Sequence, residues 1–316
     1  MAAILHIPQA ETLDPSILNL WNRLSNDSPP PLGDSAFKQR NWDLPVAETT
    51  FNRLLNQGDK ARLLAVSADH SSDWLHAFPI SSCGLRLEDE AIRVAVGLRL
   101  GCNLCLPHKC PCGTEVEDNG RHGLSCKKSG ARTLRHNALN DVIHRALVKG
   151  GVPSTKEPTG LIRTDGKRPD GVTQVPWEAG KCLTWDVTVV DTLAPSYVAL
   201  SSISAGKAAE RAAELKTAKY ISLTSTHSFI PVAFETVGPP SSSAVSFIKS
   251  IGKRLRAATS DDRETSFLFQ RLSICIQRYN CLCIKDSFIS VDVEDQQVKL
   301  INTVTVTVLL RYLHFN

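Results

Sequence analysis

The sequence lacks several features that would define its class at once. No apolar run approaches the roughly 20 residues that a helix needs to cross a bilayer. Its first sixteen residues contain no basic region followed by a long apolar core, so we do not expect secretion. Ten cysteines among 316 residues are too few for a disulfide scaffold, which indicates a reducing compartment. What is present, 42% hydrophobic and 22% charged residues, is typical of a folded chain of about two domains.

The net charge of +4 is unevenly distributed along the chain. Residues 1–120 carry 10 Lys and Arg against 15 Asp and Glu, whereas residues 121–170 carry 11 against four. A segment this basic favours a polyanionic partner, although a solvated basic face would have the same composition. The candidate phosphate contacts within it are Lys127, Lys128, Arg132, Arg135, Lys167 and Arg168.

Helical and strand patterns alternate along the chain. The spacing of apolar residues predicts helices at 46–64, 88–100, 133–150, 205–220, 244–257 and 264–278. Runs of β-branched residues predict strands at 182–190 and 229–236. Strand, helix and strand in that order favour an α/β core.

These elements predict an organisation in four parts. Three prolines place a linker near residues 25–35, within a mostly helical region that extends to residue 100. A segment rich in cysteine and histidine follows at 101–130, and the α/β core spans 131–258. A helix and a tail without recognisable motifs occupy 259–316.

The cysteines and histidines between residues 102 and 126 have the spacing of a metal site. Thiolate and imidazole are the ligands that zinc prefers, and four of them close a tetrahedral structural site. A close pair of cysteines and a His/Cys pair, separated by a turn, give the predicted zinc ligands Cys110, Cys112, His122 and Cys126. The alternatives are a site that borrows Cys102 or Cys105, with His108 as a competing imidazole, and reduced cysteines without metal.

Two aspartates form a candidate for a second metal site. Asp170 lies at a Pro-Asp-Gly turn, and Asp186 lies inside an apolar strand beside Trp185. A carboxylate in such a strand is costly unless it is paired or bound to a cation. Oxygen ligands suit Mg²⁺, and Glu157 could add a third carboxylate. In the alternative interpretation, Asp170 only makes a turn and Asp186 pairs with a buried arginine.

The helix predicted over 205–220 projects two amines and a phenol from its apolar side. At about 100° per residue its alanines share one side, and Lys216, Lys219 and Tyr220 fall in the middle of that stripe. We therefore expect them to point toward the carboxylates, because a buried lysine needs a charge partner or a function. Alternatively, the two lysines reach solvent from the C-terminal end of the helix.

Four motifs follow one another between about residues 109 and 238. They are Cys-x-Cys-x₉-His-x₃-Cys, Arg135-His136-Asn137, Arg168-Pro169-Asp170 and Asp186. This order resembles the C-terminal region of site-specific non-LTR retrotransposon proteins, where a zinc knuckle precedes a restriction-like endonuclease of the PD-(D/E)xK fold. Residues 60–100 look like the segment between polymerase thumb and knuckle, and no polymerase palm is recognisable. The chain thus resembles the nuclease end of such an element.

The resemblance implies a restriction-endonuclease-like fold, with a mixed sheet flanked by helices, and it assigns roles to single residues. Asp170 and Asp186 would hold Mg²⁺ or Mn²⁺, and His136 would belong to an accessory Arg-His-Asn motif. The usual lysine position of the fold, two residues after the second acid, is Thr188 here. In the retroelement branch the following helix supplies this lysine, with a tyrosine close behind. Lys216 or Lys219, with Tyr220, fits that pattern.

The implied activity is metal-dependent nicking of DNA. The implied location is the nucleus, with some protein in the cytoplasm, and element RNA is a further implied partner. Reverse transcriptase would have to be supplied in trans. A non-catalytic, zinc-dependent nucleic-acid-binding protein, decayed or repurposed from an element, is the alternative from another functional class; a nuclear scaffold is a third.

Overall fold

The computed structural model describes residues 15–29, 38–162 and 166–288. Most of the predicted linker, residues 163–165 and the tail from residue 289 lie outside them. Within these ranges no helix has both the length and the apolar character needed to cross a membrane. The helices are α1 (Pro15–Ser25), α2 (Gln39–Gln57), α3 (Lys60–Ser67), α4 (Asp89–Leu100), α5 (His122–Ser125), α6 (Gly130–Lys149), α7 (Val198–Ser201), α8 (Lys207–Lys219), α9 (Ser242–Thr259) and α10 (Glu264–Lys285). The strands are β1 (His108–Lys109), β2 (Glu115–Val116), β3 (Ser154–Lys156), β4 (Gly171–Glu178), β5 (Lys181–Val190) and β6 (Ser228–Glu235).

The chain is a mixed α/β protein, as predicted. Its main sheet has the strand order β3-β4-β5-β6, in which the first two pairings are antiparallel and β5 pairs with β6 in parallel. A parallel pair needs a crossover connection, and α7 and α8 lie in the segment between β5 and β6. The strand–helix–strand unit predicted from the sequence is therefore confirmed.

The two faces of the sheet are covered by different helices. Leu183, Trp185 and Val187 alternate along β5 and are fully buried against α6, α9 and α10. On the other face, three alanines of α8 pack against Ala233 and the partly buried Val190. Side chains at even positions of β5, including Asp186, therefore point toward the α8 face.

Helix α10 packs against both the α/β core and the region before it, which were predicted as separate parts. Its N-terminal half joins the core around β5 through residues such as Leu268, while its C-terminal half packs with α4 and with Leu124 through Ile284. Asp286, just after α10, accepts a hydrogen bond of 2.9 Å from Ala131 N at the start of α6. The core around β5 therefore includes α10, which lies beyond the predicted boundary at residue 258.

One predicted helix is broken into two. The apolar spacing predicts a continuous helix over 46–64, but α2 ends at Gln57 and α3 begins at Lys60. Between them Gly58 has φ 120° and Asp59 has φ 53°, and neither value permits a helix to continue. The other predicted helices and strands are found with their ends shifted, most of all α10, which continues to Lys285.

Candidate metal centre and carboxylate site

Three cysteines and one histidine converge in the small segment before α6. The ligand atoms of Cys110, Cys112, His122 and Cys126 all lie within 4.8 Å of one another. Cys110 Sγ and Cys126 Sγ are 3.7 Å apart, close to the roughly 3.8 Å that tetrahedral geometry with Zn–S bonds of about 2.3 Å requires. This donor set fits a structural zinc ion, and it is the quartet predicted from the sequence.

Local structure explains how these four residues meet. A tight turn, in which Gly113 N donates to Cys110 O at 2.7 Å, brings the first two cysteines together between β1 and β2. The short helix α5 then places His122 at its start and Cys126 just after its end. Hydrogen bonds with Thr114 lower the pKa of Cys112 to about 6, which favours the thiolate that binds metal.

The competing ligands are engaged elsewhere. Burial raises the pKa of the Cys105 thiol to about 11, and its Sγ donates to the carbonyls of Glu117 and Asp118. His108 Nε2 lies 2.9 Å from Ser287 Oγ, and its ring stacks on Phe288. Among the described residues, the predicted quartet is the one group of three or more such side chains close enough to share an ion.

The second site begins with Asp170, the residue immediately before β4. Its Oδ2 accepts hydrogen bonds from Val187 N at 2.5 Å and from His136 Nε2 at 2.9 Å. The next position, 171, requires glycine because the Trp185 ring covers it, and a Cβ there would lie 2.0 Å from the ring. The Pro-Asp-Gly sequence is thus more than a turn, since it fits Asp170 between β5 and α6.

Asp186 precedes Val187, whose N–H bonds to Asp170, and its own side chain points toward the α8 face of the sheet. Its carboxylate is almost fully buried and forms an ion pair with Lys216 of α8. The partner is therefore the lysine predicted to point inward, and not the buried arginine of the alternative interpretation. An unpaired carboxylate here would be strongly disfavoured, so the Asp186–Lys216 pair explains how the strand tolerates the charge.

Tyr220 and Lys219 hold a neighbouring part of the site. The Tyr220 side chain is fully buried, and its hydroxyl donates to Arg168 O at 2.7 Å. Lys219 Nζ donates to the same hydroxyl at 3.0 Å. Tyr220 therefore supports the loop that precedes Asp170, whereas Lys216 is the lysine that contacts a candidate metal ligand.

His136 connects α6 to the carboxylates. The hydrogen bond to Asp170 raises the pKa of His136, and the charge of Asp186 acts in the same direction, against the opposing effect of burial. A protonated His136 would donate to Asp170 and restrain its orientation. His136, which was predicted to belong to this site, thus contacts Asp170 directly.

Asn140 is a residue of this site that sequence reasoning missed. Its Nδ2 donates to Asp170 O at 3.1 Å, and its Oδ1 accepts from Trp185 Nε1 at 2.8 Å. It lies one helical turn after His136 on the same face of α6, and this spacing was the signal that could have identified it.

Some predicted residues are not brought together. The Glu157 carboxylate is more than half exposed and pairs with Arg168, so the structure does not place it with Asp170 and Asp186 as a third metal ligand. Arg135 is fully buried and donates to Asn280 Oδ1 at 2.7 Å, so the prediction that it contacts phosphate was wrong.

The other predicted phosphate contacts remain accessible. Lys127, Lys128 and Lys167 are exposed, and Arg132 is partly buried. Arg132 donates to the carbonyls of Ser125 and Cys126, and it therefore also supports the metal centre.

Two comparisons with known proteins found no match. A scan against protein-family models matches no family, and a search of curated proteins gives no match. Conclusions about function therefore rest on the chemistry and geometry of the sites themselves.

Proposed function

We propose that this chain is a divalent-metal-dependent DNA endonuclease with a restriction-endonuclease-like core, related to the nuclease end of non-LTR retrotransposon proteins. One observation carries the proposal. Asp170 accepts a hydrogen bond from the backbone of Val187, the residue after Asp186, and Asp186 pairs with Lys216. Residues of a turn, a strand and a helix are thus linked although Asp170 and Lys216 are 46 positions apart in sequence. Two acidic groups and an amine are what metal-assisted cleavage of a phosphodiester requires.

The residues of the site have distinct tasks in this proposal. Asp170 and Asp186 offer the carboxylate oxygens that Mg²⁺ or Mn²⁺ prefers, and the bound metal would activate water and polarise the scissile phosphate. His136 and Val187 N orient Asp170. Lys216 brings a positive charge that would offset the negative charge developing on the phosphate.

The basic residues of the knuckle region suggest how DNA is held. Lys127 and Lys128 are exposed beside the Cys/His centre, where they would contact the DNA backbone without reading its sequence. A structural zinc would fix the orientation of this segment. The proposed partner is DNA in the nucleus, with element RNA and a reverse transcriptase supplied in trans if the chain acts in transposition.

The deciding experiment is nicking of supercoiled plasmid in Mg²⁺ or Mn²⁺. Wild type should nick, and Asp186→Asn should lose at least about 1,000-fold in rate with DNA affinity unchanged, since its proposed task is in the transition state. Asp69→Asn is the matched control, because Asp69 is exposed and outside the site. Nicking that survives Asp186→Asn or a chelator would reject the proposal.

A specific observation favours a second candidate, a non-catalytic, zinc-dependent nucleic-acid-binding protein. Asp186 already pairs with Lys216, and Asp170 already accepts two hydrogen bonds, so both carboxylates have partners without any metal. For this candidate we expect zinc-dependent DNA binding without nicking by wild type in either metal.

A further inference from the structure

Helix α9 is unusual in its charge. Over 18 residues it contains four basic side chains and no carboxylate. All four are exposed, while the opposite face of the helix is buried against the sheet through residues such as Phe247 and Ile251. By contrast, α8 and α10 each combine basic residues with at least one glutamate. All charged side chains on the outer face of α9 are therefore positive.

Three of these cations line a groove between α9, the first turn of α10 and the segment around His70. Its volume is about 450 Å³, and Lys249, Lys253 and Arg256 form one wall. They occur at positions i, i+4 and i+7, which places them along about 10 Å of one helix face. A second depression of about 330 Å³ continues from Lys253 and Arg256 toward Ser260.

The opposite wall adds neutral donors. Thr265 and Ser266, in the first turn of α10, line this side of the groove, and backbone amides in the first turn of a helix lack acceptors within the helix. Gly252 makes this close approach feasible, because a Cβ there would lie 2.3 Å from Thr265 Oγ1. His70, whose ring stacks on Phe269 at 3.8 Å, closes the end of the groove.

The charges of the groove are only partly compensated. Arg256 pairs with Asp262, and the Asp73 carboxylate, 2.9 Å from His70 Nδ1, also lines the groove. Over residues 15–29, 38–162 and 166–288, neither Lys249 nor Lys253 has a hydrogen bond or an ion pair. Two lysines that form no ion pair, one helical turn apart on the wall of a concave surface, attract an anion more strongly than the same charges on a convex face.

We propose that this groove binds the phosphates of a nucleic-acid strand, on the side of the sheet opposite to Asp186. The row of three cations and the continuing depression are longer than one phosphate, which favours a strand over a single small anion. Because α8 covers the Asp186 face and α9 covers the Trp185 face, this surface is separate from the carboxylate site. It adds a second contact for the class of partner in the proposed function but does not require that the protein cleaves DNA.

The test is the affinity of full-length protein for a fluorescein-labelled single-stranded DNA, measured by anisotropy over a range of salt. Lys249→Glu/Lys253→Glu should weaken binding at least tenfold and reduce the salt slope by about 1.4, or about 0.7 for each lost phosphate contact. The control is Lys207→Glu/Arg211→Glu on α8, with the same charge change and spacing on the other side of the sheet. It should bind within about twofold of wild type.

Two further measurements locate the ligand and its source. Bound DNA should protect Lys249 and Lys253 from acetylation, as read by mass spectrometry, and both variants should keep wild-type circular dichroism. Equal losses in the two double variants, or no loss in either, would overturn the proposal. If inorganic phosphate or a mononucleotide stabilises wild type but not Lys249→Glu/Lys253→Glu, while DNA affinity is unchanged, the ligand is a free phosphate compound and the strand is rejected.

These experiments distinguish failure of the groove proposal from failure of the nuclease proposal. Asp186→Asn leaves the groove intact, so it should bind the single strand as wild type does. Protein that binds through Lys249 and Lys253 but does not nick would refute only the nuclease. Protein that nicks, yet binds equally well without these two lysines, would refute only the groove.

Discussion

The Cys/His centre and the carboxylate site differ in how the chain assembles them. All four ligands of the centre fall within 17 residues, and a hairpin turn and one short helix bring them together. The carboxylate site instead needs a turn, a strand and two helices that lie far apart in sequence. Local chain geometry is sufficient to form the first site, whereas the second depends on the packing of the whole core.

The sites also differ in how their polar groups are satisfied. Cys110 and Cys126 face one another, and Cys112 faces His122, so the four ligand atoms lie around a common point. Asp186, in contrast, already has an ammonium partner in Lys216. We therefore expect the stability of the first site to depend on a bound metal, and that of the second on the Asp186–Lys216 ion pair.

The largest effect should come from loss of metal at the Cys/His centre. Wild type should contain about one zinc per chain, and Cys112→Ser should reduce both the zinc content and the thermal stability, because structural zinc contributes folding free energy directly. Metal content by mass spectrometry and melting by circular dichroism test this.

Cys102→Ser is the matched control for that experiment. Cys102 is exposed and lies outside the quartet, so the Cys102→Ser protein should contain as much zinc as wild type. If a variant with all four ligands replaced retained its zinc, the site would have to be moved to Cys102 and Cys105.

The same difference decides what the sequence could predict. The spacing of the cysteines and His122 was enough for the metal quartet, because sequence neighbours are also neighbours in space there. The inward direction of Lys216 followed from helix periodicity, since α8 packs one face on the sheet. Its pairing with Asp186, rather than with any other acid, could not be predicted, because the register of α8 against β5 is set by the packing of its alanines on Ala233.

Two other differences between the sequence predictions and the structure arise because burial depends on contacts between distant segments. Arg135 was counted with the basic residues of its segment, but α10 covers it and Asn280 satisfies one of its donors. The end of the core was placed at residue 258 because nothing local indicates that α10 packs across two clusters. Charge and periodicity describe a single segment, while burial depends on which other segments cover it.

The second prediction separates the two lysines. Lys216→Ala leaves Asp186 buried and unpaired, so we expect destabilisation of about 3 kcal/mol, the low end for a broken buried pair because Lys216 is partly exposed. Lys219→Ala removes a hydrogen bond to Tyr220 and should cost about 1 kcal/mol. Chemical denaturation in the presence of a chelator measures both.

Added Mg²⁺ then tests metal binding without any assay of activity. If Asp170 and Asp186 bind the ion, Mg²⁺ should restore much of the stability lost in Lys216→Ala but leave Lys216→Ala/Asp186→Asn unchanged. In plasmid nicking Lys216→Ala should lose about 100-fold or more in rate, and Lys219→Ala far less. Equal nicking by the two single variants would contradict the assignment of Lys216.

The smallest predicted effect concerns Glu235, a carboxylate of the same sheet that has no cationic partner among the described residues. It is buried at the end of β6, where Oε1 accepts from Ala208 N and Ala209 N and Oε2 has no partner.

Burial raises the pKa of Glu235, so the folded protein binds a proton on this carboxyl more tightly than the unfolded chain does. Stability should therefore fall as pH rises from the unfolded carboxyl value, about 4.3, through the raised folded value. Glu235→Gln keeps the acceptor for α8 and removes the charge, so its stability relative to wild type should increase from pH 4 to neutral pH. Because the difference between the two proteins cancels the other titrating groups, a difference that does not change with pH would show that ionisation of Glu235 carries no cost in the fold.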